Sequence, residues 1–305
     1  MRLDWRYKTL AFWILSGIPG GESIHYLIQR YVTKSLPHGD TFTESNVATA
    51  QQHVQAFCTY GGRPPGEALF YEFGTGWSLL LPLAFYSFGV NRQYVVDITP
   101  KVKIELIQDA IAKLHRLAPR FGFSRQVPAL SSDGGQPRLR AQLTSLYGID
   151  YSAPADARSV QLSDGSGDCI TSTNTLEHVP VPDIMAILRE CRRLLRSDGV
   201  VSFSVDYCDH YAYDDPNITV YNCLRYSDGM WKLFSPSIHY QNRLRHLDYR
   251  EVFEGAGFRI VHESQTEASA ADLEVVGKLK VAPRFNSYSS QELSIQKGLF
   301  VLRKV

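Results

Sequence analysis

The segment Leu69-Phe70-Tyr71-Glu72-Phe73-Gly74-Thr75-Gly76 constrains this chain more than any other, because an apolar run that ends in a glycine pair dictates a buried strand followed by a sharp turn. A second apolar run, Tyr94-Val95-Val96, ends in Asp97 and Ile98. In a strand–turn–helix–strand unit this spacing brings the Asp97 carboxylate to the tip of the second strand, beside the glycine turn, where it can meet ribose hydroxyls. Bare backbone at Gly74, Thr75 and Gly76 then suits a nucleotide-type cofactor. A dinucleotide fingerprint would place a third glycine where Leu79 stands, and Glu72 would bring negative charge toward a pyrophosphate. A cationic, phosphate-free cofactor fits this turn better.

Along the rest of the chain apolar strands alternate with helical stretches, the pattern of a parallel sheet wound by helices on both faces. Residues 22–60 read as mostly helical. Strands are expected at about 68–73, 93–98, 148–151, 169–174, 200–205, 258–261 and 298–302, with helices at 77–88, 101–117 and 183–196. Residues 118–147 read as irregular, with Ser131-Ser132-Asp133-Gly134-Gly135 as a loop that covers the site.

These motifs resemble the class I S-adenosylmethionine-dependent methyltransferases, whose first motif is an acid-x-Gly-x-Gly run, here Glu72-Phe73-Gly74-Thr75-Gly76. Ser78 stands at the family's frequent third glycine, and bulky Trp77 precedes it. Asp156-Ala157 resembles the family's acid-Ala pair, which accepts a hydrogen bond from the adenine amine. Asp168 to Asn174, followed by Thr175-Leu176-Glu177-His178, resembles the fourth strand and Leu-Glu-His turn of small-molecule methyltransferases, and Leu194 to Val200 resembles the family's helix-to-strand link. The resemblance implies an α/β, Rossmann-like, doubly wound seven-stranded sheet whose last strand is antiparallel. It implies S-adenosylmethionine as cofactor, held by Glu72, Gly74, Thr75, Gly76, Asp97, Ile98, Asp156, Ala157 and Asn174. The expected domains are an N-terminal helical cap over 1–60 and a methyltransferase domain over 61–305, with a substrate lid at about 207–250.

A sulfonium cofactor arrives activated, so such an enzyme mainly orients an acceptor and excludes water; a hydroxyl acceptor also has to lose a proton. Candidates sit beyond strands four and five: His178, and Asp209 and His210 within Asp206-Tyr207-Cys208-Asp209-His210. For His178 the alternative is a structural bond to a backbone carbonyl. Asp206, Asp209 and His210 are suitable metal donors, and Glu177-His178 resembles a metal-supporting motif of some quinone O-methyltransferases. That motif wants an acid where Asn174 stands, so no metal is assigned. Tyr213, Tyr240, Arg243 and Arg245 are the expected acceptor contacts within an aromatic, basic lid, with packing as the alternative. Tyr26, Gln29, Arg30, Tyr31 and Lys34 form a second candidate wall. The expected reaction is methyl transfer to a small or medium-sized acceptor, a hydroxyl above others. A nicotinamide-dependent oxidoreductase and a non-catalytic cofactor-binding partner subunit are the alternatives.

At 305 residues the chain can bury one large core, and a net charge of +1 argues against a nucleic-acid partner. Five cysteines without C-x-x-C spacing read as reduced thiols of a cytoplasmic protein. The basic start, Met1 to Lys8, precedes a short apolar run, Thr9 to Leu15, which reads as an amphipathic helix covering the site or lying against a partner or membrane surface.

Overall fold

The protein was described from a computed structural model covering residues 4–133 and 135–305. Met1, Arg2 and Leu3 of the basic start, and Gly134 of the expected loop, lie outside the described residues. Seven strands form one sheet: β1 (Leu69–Phe73), β2 (Arg92–Val96), β3 (Ile149–Ser152), β4 (Gly167–Thr173), β5 (Leu195–Asp206), β6 (Phe258–Gln265) and β7 (Lys297–Lys304). Their order is β3-β2-β1-β4-β5-β7-β6, with β7 antiparallel to both β5 and β6. The expected seven-stranded sheet with an antiparallel last strand is present. Insertion of β7 between β5 and β6 also separates this sheet from the six-stranded parallel order of dinucleotide-binding folds.

The strand order reverses between β1 and β4, so their carboxyl ends open a crevice, the place where open α/β sheets take ligands. Gly74, Asp97 and Asn174 all stand at this rim. Every residue of β4 is buried, as expected of a central parallel strand covered on both faces.

One face of the sheet is covered by α3 (Asp40–Tyr60), α4 (Leu80–Ser87), α5 (Ile104–Phe121) and α6 (Gly135–Tyr147), the other by α7 (Val181–Leu194) and α9 (His246–Gly255). Helix α3 packs on the sheet itself: its buried His53 lies between the hydroxyls of Ser202 and Thr173, at 2.6 and 3.0 Å. Residues 40–60 are therefore bonded to the core that the sequence reading assigned to the next domain.

A third apolar cluster lies above the rim. Trp5, Phe12 and Leu15 of α1 (Trp5–Ser16) pack with Tyr211, Tyr221, Leu224 and Trp231, and with Val276, Phe285 and Leu293 from the segment between β6 and β7. The first helix thus covers the expected lid, while Tyr7, Leu10 and Ile14 on its outer face stay exposed. No helix of the described residues is long and apolar enough to cross a membrane.

Two local expectations are corrected. Residues 135–147 are helical, because Leu139, Leu143 and Tyr147 recur once per turn and all three are buried. The preceding loop is tied to neighbouring helices: the Ser131 N–H donates to the Gln142 side chain, and the Gln108 amide of α5 donates to the Leu130 carbonyl. Helix α4 begins at Leu80, three residues later than expected, since Leu79 adopts a left-handed φ of 52° and ends the turn there.

Candidate functional site

Phe73 ends β1, and the chain turns through Gly74 at φ 79° and Gly76 at φ 69°, conformations that glycine takes at little cost. The two glycines have different neighbours. A Cβ on Gly74 would meet the Thr175 hydroxyl at 2.3 Å, so this position lets the β1 and β4 tips close on each other; around Gly76 nothing lies within 4 Å. Asp97 bridges the β1 and β2 tips, accepting from the Gly76 N–H and the Thr99 N–H, each at 3.3 Å. It is 6 % exposed, and burial pushes its pKa up despite these donors and Lys101.

Asn174 directly follows β4 in a left-handed conformation at φ 49°. Its side-chain carbonyl is buried without a hydrogen-bond partner, and so are the hydroxyls of Thr75 and Thr99. Buried polar atoms are rarely left unmatched, so three of them around an open glycine turn describe a cradle lacking a polar ligand. The side chains present fit a nucleoside cofactor. Ile98, 60 % exposed beside Asp97, offers an apolar face. Asp156 lies in the loop after β3, where the Arg158 guanidinium pairs with it and holds its carboxyl below the usual range; Ala157 packs on the α7 side of the core.

Glu72, expected among the cofactor contacts, lies inside the sheet. Its carboxyl is 2 % exposed within the sheet and receives the Thr171 hydroxyl from β4. Burial raises its pKa to about 8.

Next to the cradle, a cavity of about 450 Å³ is lined by Leu15, Ile18 and Glu22 of the N-terminal segment and by Trp77, Thr99 and Lys101. That size suits a small-molecule ligand. Of the expected second wall, Tyr26 comes close: it packs on Trp77 with ring centroids 5.0 Å apart and donates to Glu105, whereas Tyr31 is exposed. Thr99, Lys101 and residues 20–23, which open the helix Gly21–Leu27, were not singled out in the sequence. Thr99 and Lys101 had one usable signal, their place just after the carboxylate that ends β2.

Beyond β4 and β5 three imidazoles gather. His178 and His210 lie 4.8 Å apart edge to face, and His210 is 6.3 Å from His239. His178 uses Nδ1 to reach the Tyr240 carbonyl at 2.7 Å, the structural alternative considered for it. Because a carbonyl only accepts, Nδ1 carries the hydrogen and Nε2 keeps its lone pair. Burial lowers the pKa of all three rings, that of His210 to about 4, with His178 adding to the effect. They are neutral near pH 7. Glu177, 2 % exposed, has both oxygens unpartnered, and burial with nearby Asp206 pushes its pKa well up. Tyr213 stacks on His210 at 5.2 Å and donates its hydroxyl to Asp206.

Three other expected site residues are occupied elsewhere. Arg245, 1 % exposed, donates to the carbonyls of Tyr207, Leu293 and Ile295; Arg243, 4 % exposed, donates to those of Cys223 and Tyr226 and to Asp228. Every one of these contacts is internal, so both arginines clamp the lid together instead of presenting a fork to an acceptor. Asp209 is fully buried and accepts from the Tyr211 N–H and the Asn222 amide, capping the turn that carries His210. It positions His210 and does not face the cavity.

Sheet order, glycine turn and rim carboxylate match the seven-stranded, Rossmann-like arrangement that the resemblance implies. A family model described as a methyltransferase domain matches residues 134–203, from α6 through most of β5, and the expected resemblance is borne out. No curated protein matches the sequence. Among solved structures, the chain is similar to one from the complex between the Haloferax volcanii Trm112 methyltransferase activator and a methyltransferase, at 17% identity and TM-score 0.47 over 87% of this chain and 92% of that one. It is also similar to geranyl diphosphate C-methyltransferase from Streptomyces coelicolor A3(2), in complex with Mg2+, geranyl diphosphate and S-adenosyl-L-homocysteine (12%, TM-score 0.45, 88% and 86% covered). A third is the YcgJ protein of Bacillus subtilis (15%, TM-score 0.44, 84% and 97% covered).

Proposed function

We propose that this protein transfers a methyl group from S-adenosylmethionine to a hydroxyl of a small or medium-sized acceptor. The observation that carries the reading is the pairing of the two rims: an open glycine turn with unmatched polar atoms on one side, and neutral imidazoles with bare nitrogens on the other. Gly76, Thr75, Asp97 and Asn174 would hold the nucleoside, with Ile98 and Asp156 toward its base. The cofactor supplies an activated methyl group. The protein's part is to orient the acceptor, keep water out and weaken the acceptor's O–H bond.

For that last task the His178 and His210 nitrogens are free lone pairs, and Tyr213 and Tyr240 border them as acceptor contacts. The lid formed by α1 and the segments after β5 and β6 closes over the cavity. A reducing, cytoplasmic setting suits the five cysteines, each of which is unpaired.

Calorimetric titration with S-adenosylmethionine and S-adenosylhomocysteine, followed by radiolabelled methyl transfer to a panel of phenols, enols and sugars, tests the proposal. Micromolar binding with turnover on a hydroxyl supports it. Absence of binding overturns it, and turnover confined to nitrogen or carbon acceptors overturns the choice of oxygen.

A further inference from the structure

Glu177, His178 and His210 come from two strand ends, yet one ligand atom from each lies within 4.8 Å of the others. Glu177 and His178 share the turn Leu176–His178 after β4, and His210 opens the turn His210–Tyr213 after β5. We propose that these three side chains form a site for one divalent transition-metal ion, of the zinc or iron(II) class, beyond the carboxyl ends of β4 and β5.

Four observations carry it. Both Glu177 oxygens are buried without a partner, in a residue 2 % exposed. Leaving such a group unmatched is costly, and no contact of that side chain offsets it. The His210 Nε2 is likewise buried and unpartnered. His178 donates from Nδ1 to the Tyr240 carbonyl, the outer contact that fixes a ligating imidazole with its other nitrogen bare. Finally, Asp206 brings a second buried carboxylate, its Oδ2 3.9 Å from His210 Nε2, and among the described residues no lysine or arginine forms an ion pair with Glu177 or Asp206. A cation is the missing partner.

Two imidazoles and one carboxylate choose the ion. Magnesium, calcium and manganese prefer oxygen ligands, whereas imidazole suits zinc, copper, iron and nickel. Three protein ligands leave coordination positions open, so the site is of the open, catalytic type. With an ion bound, the His178 and His210 lone pairs would be spent on the ion in place of the acceptor proton, and the O–H would instead be weakened by coordination, since a bound cation lowers the pKa of an oxygen acid. The acceptor class it selects carries a phenolic, enolic or alcoholic oxygen able to reach the ion. That use rests on the proposed methyl transfer; binding of the ion does not.

The test uses the full chain, stripped with a chelator and titrated with Co2+, read by visible d–d absorption, and with Zn2+, read by calorimetry and thermal shift. One equivalent should bind, and Zn2+ should raise the melting temperature. Glu177→Gln keeps the shape of the side chain but removes its anionic ligand oxygen; it and His210→Gln should each weaken binding by at least about tenfold. No stoichiometric Co2+ or Zn2+ binding overturns the site, and so does unchanged affinity in both variants with intact circular dichroism. S-adenosylmethionine binding, titrated on the same stripped protein, separates the two failures. Cofactor without metal sinks only this site, and metal without cofactor sinks only the methyltransferase reading.

Discussion

Glu72 and Thr171 are register partners across the parallel β1–β4 pair, and the Thr171 hydroxyl donates to the Glu72 carboxyl between them. The acid that opens the glycine motif therefore joins the two strands whose tips form the crevice. Its carboxyl is dry, and burial keeps it protonated up to about pH 8.

This gives stability a definite pH dependence. The folded pKa lies near 8 and the unfolded value near 4.5, so between them the unfolded chain binds fewer protons. Folding stability contributed by this residue is present below about pH 4.5 and is lost as pH rises toward 8, by up to about 1.4 kcal/mol per pH unit. Glu72→Gln removes that proton equilibrium. Urea midpoints at pH 5 and pH 8 should show the variant gaining on the parent as pH rises; a difference that stays constant would mean the carboxyl is ionised in the fold.

The same residue shows where the sequence was legible and where it stopped. Strand positions followed from apolar runs and turn residues, and β3 was found at Ile149–Ser152 even though only four residues mark it. Gly74, Gly76 and Asp97 were legible because spacing alone brings a strand tip beside a turn. What a side chain touches from another strand was not: nothing near Glu72 in sequence announces Thr171, and nothing near Arg245 announces the carbonyls of Leu293 and Ile295. An aromatic, cationic stretch such as 240–246 has one composition whether its arginines face a ligand or bind the chain to itself. The meeting of Glu177 with His210 likewise depends on two turns brought together only by strands β4 and β5.

Gly74 and Gly76 should respond differently to alanine. In Gly74→Ala the new methyl meets the Thr175 side chain at 2.3–2.4 Å in a left-handed backbone, which should destabilise the fold by roughly 2–3 kcal/mol. Gly76→Ala adds a methyl in open space and carries only the backbone strain, about 1–2 kcal/mol. Its main effect should be on cofactor binding. Melting temperature and S-adenosylmethionine affinity, measured on both variants, check the split; equal thermal loss would contradict it.

Asp97→Ala removes the acceptor for both the Gly76 and Thr99 N–H groups together with the proposed ribose partner. Cofactor affinity should fall about 10- to 100-fold, the equivalent of one to two charge-assisted hydrogen bonds. Asp97→Asn keeps one acceptor oxygen and should fall between alanine and the parent. Calorimetry on the three proteins orders them, and unchanged affinity in the alanine variant would remove Asp97 from the cradle.

His210 should separate binding from turnover. Cofactor is expected on the Gly76 side and His210 lies beyond β5, so His210→Gln should leave S-adenosylmethionine affinity within about twofold while lowering kcat by about 100-fold or more. A parallel loss of cofactor affinity would place His210 in the nucleoside site instead.

Arg245 separates a structural clamp from an acceptor contact. Its guanidinium reaches the Tyr207 carbonyl from one nitrogen and those of Leu293 and Ile295 from another, tying the exit of β5 to the approach to β7. Alanine would strand three buried carbonyls and leave a void, so Arg245→Ala should cost about 3–5 kcal/mol or prevent folding. Lysine retains the charge but has a compact ammonium in place of the planar fork, and should cost less, about 1–2 kcal/mol. The lysine variant is the informative one, because it stays folded. At a temperature well below its melting point, Arg245→Lys should keep the parent's acceptor KM while unfolding at lower urea. A raised acceptor KM with unchanged stability would return Arg245 to the acceptor pocket.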